Sequence, residues 1–215
     1  MIARILLAGL LAFVALGACQ DSIRTPFPSG LEPFPDDDVP TTLDGTPTEG
    51  LRTSSTRIGM FQVYGRGFVT TPPASVYAAA HDPHVIIATC ATTTQGIMFG
   101  NQPDYELSFL VHYFVDDIVN VEWDDQWRGS AVRGTVEMPE LAMIKHQKIE
   151  GSDFITLSEG TIEILATDDP GVTELRFVEH LDAVSASVTQ VIAGMQHNYD
   201  SLLAVAHGRA IPACP

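Results

Sequence analysis

The chain has 215 residues, with 11 Lys and Arg against 27 Asp and Glu, and a formal net charge of −16 at pH 7. A surface of this sign repels nucleic acid and anionic lipid headgroups, which excludes a nucleic-acid-binding role and membrane binding through basic residues. About 165 residues follow the N-terminal region described next, enough for one domain with a single core.

The first 18 residues are typical of a signal peptide. One positive charge precedes an apolar run from Ile5 to Leu16, which is shorter than the roughly 20 residues of a membrane-spanning helix. The run ends in LGAC (residues 16–19), which resembles the lipobox that signal peptidase II cleaves ahead of a lipidated cysteine. We therefore predict a lipoprotein that loses residues 1–18 and is anchored to a membrane through a lipid on Cys19. Gln20, where an aspartate would favour the inner membrane, favours the outer membrane, facing the periplasm.

The residues after the signal peptide are rich in proline, glycine and acidic side chains. Phe27, Leu31 and Phe34 are isolated there and show no period. Such a segment buries too little apolar surface to offset its ordering entropy. Residues 19–50 are accordingly predicted to form a disordered tether that joins the lipid to a domain of residues 51–215.

Two further cysteines, Cys90 and Cys214, lie in the predicted domain. An exported protein resides in an oxidising compartment, where a disulfide between them would tie the C-terminal tail to the early part of the domain. The sequence leaves open whether the two side chains lie within bonding distance.

Periodicity predicts a mixed α+β domain. An opening strand at 58–70 leads into a helix at 71–83, which begins with prolines and ends at Asp82-Pro83, and residues 84–103 have a poor period. Further strands are predicted at 105–115, 118–128, 141–149, 154–157, 161–167 and 172–181. A helix at 183–207 carries one apolar stripe along its length. This order predicts a curved antiparallel sheet wrapped around a long C-terminal amphipathic helix.

Residues 67–83 (GFVTTPPASVYAAAHDP) resemble the opening of START-like, helix-grip proteins. In that group, which includes lipid-transfer START domains, the birch-pollen-allergen type and polyketide cyclases, the first strand runs into a proline-started helix that ends in Asp-Pro. By element order the resemblance extends over about residues 58–207, and it implies a cavity between the sheet and the long helix. One departure is that the family has two short helices before its second strand, and residues 84–103 do not clearly supply the second.

Candidate cavity residues lie on the faces of strands and helix that are predicted to point inward. Glu179 falls between Phe177 and Leu181 on the inner face of the last strand, so its carboxylate must be paired or protonated. Lys145 is a candidate partner for it; alternatively, a bulge shifts the strand period and exposes one of the two. The full candidate set is Phe109, Tyr113, Trp123, Trp127, Lys145, Phe177, Glu179, Met195 and Tyr199. The aromatic members either build core or contact a ligand. The acid pair Asp124-Asp125 is expected to be solvated at a turn or strand end.

The sequence contains no nucleophile elbow, phosphate loop, dinucleotide fingerprint or paired metal-ligand cysteines, so no catalytic residue, metal or cofactor is predicted. The leading interpretation is a non-catalytic carrier or sensor that encloses an apolar small molecule or lipid beside a membrane. One alternative is a cyclase- or hydratase-like enzyme with Glu179 or His112 as general acid or base. The other is a structural lipoprotein that binds a protein partner and has a filled core.

Overall fold

The structure of the protein, a computed structural model, describes residues 22–87, 90, 92, 94–100, 102–116, 120–184 and 186–214. The predicted signal peptide and Cys19 lie outside the described residues. The described chain forms eight strands and three α-helices, namely β1 (Gly50–Ile58), β2 (Met60–Val69), α1 (Pro73–Ala80), α2 (Pro83–Ile86), β3 (Thr94–Phe99), β4 (Leu107–Val115), β5 (Val121–Gly134), β6 (Pro139–Gly151), β7 (Ile155–Ala166), β8 (Thr173–Ala183) and α3 (Val188–Ala206).

The strands build one antiparallel sheet in the order β1-β2-β8-β7-β6-β5-β4-β3. Side chains alternate between its two faces, as strand geometry requires. The inner face carries the largest buried apolar residues of the strands, including Val63, Phe109, Ile144, Ile164 and Leu175. Together with α1, α2 and α3 this face forms the main hydrophobic core.

The long helix α3 packs against the inner face over β1, β2 and β8. It begins at Ser187, whose hydroxyl accepts a hydrogen bond from the backbone N–H of Gln190. The Gln190 side chain in turn accepts one from the backbone N–H of Ser187, so the two residues form a capping box. This cap fixes where the helix starts relative to the end of β8.

The C-terminal half of α3 approaches the sheet closely because Gly67 has no side chain. A Cβ on Gly67 would lie 2.7 Å from the ring of Tyr199. The Tyr199 hydroxyl donates to the carbonyl oxygen of Phe68 at 2.6 Å and accepts from the backbone N–H of Gly50 at 2.7 Å. This half of the helix is therefore fixed to β1 and β2.

The predicted fold class, a curved antiparallel sheet around a long C-terminal helix, is confirmed, but several predicted elements differ in detail. β1 begins inside the predicted tether, and β3 and α2 lie in the stretch of poor period. Asp82 caps α2 by accepting from the backbone N–H of His84, so Asp82-Pro83 both ends the first short helix and starts a second. The second helix that the START-like resemblance requires is thus present. β7 runs unbroken through Gly160, where two strands were predicted.

The largest correction concerns residues 22–49, which lie against the outer face of the sheet instead of standing away from it as a tether. Ile23 and Thr25 donate backbone hydrogen bonds to the carbonyl oxygens of Gly151 and Ile149, at 2.8 and 2.9 Å. The segment then crosses the outer face towards β2. Its isolated apolar side chains Leu31, Phe34 and Leu43 are buried on the way. A segment can dock in this way through a few buried side chains, without a periodic apolar pattern. Its prolines restrict the unfolded chain, so less conformational entropy is lost when the segment becomes ordered.

Polar contacts hold this N-terminal segment at several points along its path. Arg128 donates to the carbonyl oxygen of Pro28, and Lys145 donates to that of Glu32. Asp37 accepts from Thr161 Oγ1 at 3.1 Å, and its Oδ1 lies 3.7 Å from His180 Nε2. Burial raises the pKa of Asp37 to about 6, although the charge of His180 opposes that shift. The folded unit therefore includes residues 22–49.

Cys90 and Cys214 form a disulfide, with their Cα atoms 5.5 Å apart. The bond joins the C-terminal tail after α3 to the chain ahead of β3. Within the described ranges, no helix combines the length and apolar character needed to cross a bilayer.

Candidate functional site

A cavity of about 560 Å³ lies between the inner face of the sheet and the N-terminal half of α3. Its volume falls within the roughly 300–1,000 Å³ that is usual for small-molecule sites. On the helix side, Val191, Gly194 and Met195 line it. The cavity extends to the surface beside Val184, which is 64% exposed, and there Phe154 also belongs to its wall.

The structure brings most of the sequence-predicted cavity residues to this one wall. Those that line it are Tyr113, Trp123, Trp127, Phe177, Glu179 and Met195. Phe109 and Tyr199 are fully buried in the adjoining core, where Phe109 stacks on Trp127 with ring centroids 5.7 Å apart. Lys145 lies on the opposite face of the sheet.

The polar part of the wall is built on one row of paired residues across four strands. Trp127 on β5, His146 on β6, Gly160 on β7 and Glu179 on β8 are successive Cα partners. A Cβ on Gly160 would lie 2.6 Å from both His146 Nε2 and Glu179 Oε2. Because Gly160 lacks that atom, His146 and Glu179 reach over it and meet, with Nε2 and Oε2 2.9 Å apart.

Asp125 flanks the same imidazole on its other side. Its Oδ2 lies 3.8 Å from His146 Nδ1. The side chains of Asp125 and His146 are 6% and 7% exposed, whereas that of Glu179 is 26% exposed, so Glu179 is the member most open to the cavity. Asp125 Oδ1 and His146 Nδ1 are buried and have no hydrogen-bond partner within the described part of the chain. The Trp127 ring covers the imidazole face at a centroid distance of 4.2 Å.

Burial and mutual charge shift the proton affinities of this cluster. Burial raises the pKa of Asp125 to about 7, and the charge of Glu179 adds to the rise, while His146 and Lys148 oppose it. Burial lowers the pKa of His146, but the hydrogen bond with Glu179 and the charges of Glu179, Asp125 and Glu159 together outweigh burial, so this pKa lies above its usual value. Near neutral pH the cluster can therefore hold a proton on Asp125 or on His146.

Two sequence-based assignments near the site are wrong. Glu179 pairs with His146 and not with Lys145, because Lys145 points to the outer face, where its Nζ lies 3.9 Å from the centroid of the Phe34 ring. His112 also lies on the outer face and is 2.7 Å from Asp124, so it does not reach the cavity.

Asp125 and His146 were not among the cavity residues predicted from the sequence. Asp125 was expected at a solvated turn or strand end, but it lies buried within β5. A signal was present, because Asp125 is two residues from both Trp123 and Trp127 and must share their strand face. His146 gave a weaker signal, because both faces of β6 mix apolar and polar residues, so alternation does not show which of them points inward.

No protein-family model matches the chain, and no curated protein matches it in sequence. Solved structures resemble it in arrangement. The human StarD13 (DLC2) lipid transfer and protein localization domain is similar at 11% identity and a TM-score of 0.49, over 79% of this chain and 88% of that one. The Zhui aromatase/cyclase from Streptomyces is similar at 14% identity and a TM-score of 0.43, over 74% of this chain and 93% of that one.

A START superfamily protein from Mycobacterium smegmatis is similar at 13% identity and a TM-score of 0.43, over 70% of this chain and 96% of that one. Likenesses of this size say nothing about a shared ligand or activity. The strand order, the two short helices after β2 and the packing of α3 give this chain the helix-grip arrangement.

Proposed function

We propose that this protein binds an apolar small molecule or lipid in the cavity between the sheet and α3, as a carrier or sensor without catalysis. The observation that carries the proposal is the cavity itself, which the N-terminal half of α3 leaves unfilled. Its wall is mostly aromatic and aliphatic, so a ligand gains about 25 cal/mol for each Å² of apolar surface that it removes from water.

Native mass spectrometry of the purified protein tests the proposal directly. A bound ligand appears as a discrete added mass that organic extraction removes. The chain's two tryptophans, Trp123 and Trp127, both line the cavity, so their fluorescence reports occupancy without a label. The proposal is contradicted if every preparation is ligand-free and no apolar probe changes the tryptophan emission.

A cavity-filling variant separates ligand binding from folding. Gly194 lines the cavity from α3, so in Gly194→Leu the new side chain occupies ligand space. We expect apolar ligands to bind at least tenfold more weakly, whereas the free energy of unfolding rises by up to about 1 kcal/mol because glycine is a poor helix former. The matched control is Ala193→Leu on the exposed side of the same helix, which leaves binding unchanged. Equal binding by both variants contradicts this placement of the ligand.

A second candidate function is acid–base catalysis on the bound molecule. The hydrogen bond between His146 and Glu179, with Asp125 behind it, favours this candidate, since a paired imidazole and carboxylate can transfer protons. Glu179→Gln decides between the two when conversion of the ligand is measured at saturating ligand, so that a change in affinity does not enter: loss of a measured conversion there supports the enzyme.

We further propose that the protein is a lipoprotein anchored through Cys19, with the outer membrane favoured. The LGAC sequence at residues 16–19 supports this, together with the short apolar run before it. Labelled fatty acid should enter the natural protein but not a Cys19→Ser variant. Incorporation into that variant contradicts the anchor.

A further inference from the structure

We propose that the ligand is an amphiphile with a non-anionic head group, an alcohol or an amine, that donates a hydrogen bond to Glu179. This inference rests on the proposed ligand binding and specifies which chemical class the cavity takes. Its basis is the charge that the cavity wall presents and the bonding capacity that Glu179 retains.

The charged side chains in the described wall are Asp125, His146 and Glu179, and no lysine or arginine of the described chain lines the cavity. Lys148 pairs with Asp125 across β5 and β6 on the same inner face, but it is buried outside the cavity lining, and its Nζ donates to the carbonyl oxygens of Ser152 and Ile155. A ligand in the cavity therefore meets the Glu179 carboxylate and no lysine or arginine, and the one basic side chain of the described wall, His146, is already paired with Glu179.

Glu179 has bonding capacity left for a ligand. An ionised carboxylate has about four acceptor sites on its two oxygens, and the bond from His146 uses one of them. The side chain is 26% exposed and lines the cavity, whereas His146 and Asp125 lie deeper. A hydroxyl or ammonium group can donate to Glu179, while a carboxylate or phosphate there would place like charges together in a desolvated site.

The position of the Glu179 carboxylate is fixed. The site can therefore discriminate between head groups that donate a hydrogen bond and anionic head groups. His146 holds one carboxylate oxygen across Gly160, and Trp127 stacks on the imidazole and limits its rotation. The neighbouring wall is aromatic, with Tyr113 and Trp123 stacked at a centroid distance of 4.9 Å. The head group therefore meets a preorganised acceptor, and the apolar tail extends along α3 towards Val184.

The experiment compares three molecules that share one chain: dodecanol, dodecylamine and dodecanoic acid, each titrated below its aggregation limit while tryptophan emission is recorded at pH 7.5. We expect the alcohol and the amine to bind the natural protein at least tenfold more tightly than the acid, the gain expected of a hydrogen bond to a charged group. In Glu179→Gln the amine should lose about tenfold or more and the acid should gain, whereas the alcohol changes less because glutamine still accepts.

Glu163→Gln is the matched control, because Glu163 lies on the outer face of β7, 3.7 Å from Arg176. It should leave all three affinities unchanged. Binding of the acid as tight as that of the alcohol and the amine overturns the inference, and the natural protein alone decides this if Glu179→Gln does not fold. If an uncharged naphthalene probe changes the tryptophan emission but no head-group preference appears, the inference fails alone. If neither the probe nor any of the three binds, the proposed function fails with it.

Discussion

At the scale of single residues, Gly160 allows the side chains of His146 and Glu179 to form their hydrogen bond. A Cβ at this position would lie 2.5 Å from the carbonyl oxygen of Val178, which is backbone and cannot move aside, as well as 2.6 Å from the two paired side chains. The absence of one side chain on β7 therefore permits a hydrogen bond between β6 and β8.

Gly160→Ala should lower the free energy of unfolding by about 1–3 kcal/mol, the usual cost of overpacking. The matched control is Gly96→Ala on β3, where an added Cβ meets nothing within 4 Å. That variant should be neutral or slightly stabilising, since alanine restricts the unfolded chain. Urea denaturation of both variants is the measurement, and equal stability contradicts the crowding at Gly160.

Asp125 makes the protein less stable as the pH rises. Its pKa is about 7 in the folded protein and 3.8 in its ordinary state. Below pH 3.8 the carboxyl is protonated in both states; between 3.8 and about 7 the unfolded chain releases a proton that the folded chain keeps. Stability therefore falls across that window and levels off above it.

Asp125→Asn removes this contribution. We expect the free energy of unfolding to match that of the natural protein near pH 4 and to exceed it at pH 8. Asp124→Asn, next along the chain but facing outward against His112, is the control and should keep the natural slope between pH 4 and 7. Denaturant titrations at several pH values measure both. Because the raised pKa of Asp37 gives a slope of the same sign up to about pH 6, the decisive range is pH 6 to 7, where a slope as steep in Asp125→Asn as in the natural protein contradicts the prediction.

At the scale of elements, the N-terminal segment behaves as part of the domain. Phe34 is 6% exposed, and its ring lies 3.9 Å from Lys145 Nζ. Phe34→Ala should lower the free energy of unfolding by about 2 kcal/mol, less than the roughly 3–5 kcal/mol lost at a phenylalanine deep in a core. Glu32→Ala, an exposed neighbour, should change it by less than about 0.5 kcal/mol. An equal effect of both variants contradicts the docking of this segment.

The elements that could be predicted from sequence are those whose burial has a period. Alternation identified the strands that became β4, β5 and β8, and the apolar stripe identified α3. β1 could not be predicted in this way, because its side chains are exposed or half-buried and so carry no inward face. The conformation of the N-terminal segment could not be predicted for a related reason. Its isolated apolar side chains pack against a sheet surface that exists only in the folded domain.

The same distinction applies to the candidate site, where the sequence predicts some residues and not their contacts. Glu179 and the two tryptophans could be assigned because each stands in an apolar alternation on its own strand. The pairing of Glu179 could not, since it depends on the register of β6, β7 and β8 and on the missing side chain of Gly160. The alternation within one strand shows which face of the sheet a side chain points to, whereas its contact partners also depend on how the neighbouring strands pair.

At the scale of the whole molecule, the disulfide joins positions 124 residues apart. Closing a loop of this length removes unfolded-chain entropy worth about 4–5 kcal/mol in the chain-entropy model. Replacing both Cys90 and Cys214 by serine should lower the free energy of unfolding by up to that amount. Urea unfolding with and without reductant checks this: reductant should destabilise the natural protein and leave the double variant unchanged. No effect of reductant on the natural protein contradicts the bond.

The backbone bridge between Ser22 and Ser152 fixes which end of the molecule the N-terminus leaves from. Ser152 lies in the turn between β6 and β7, and the same turn holds Phe154, whose carbonyl oxygen accepts from the backbone N–H of Val184 at 2.8 Å beside the cavity opening. Cys19 is three residues before Ser22, a reach of about 10 Å. With the proposed lipid on Cys19, the membrane surface would lie close to the cavity opening, and the proposed ligand would pass directly between the two.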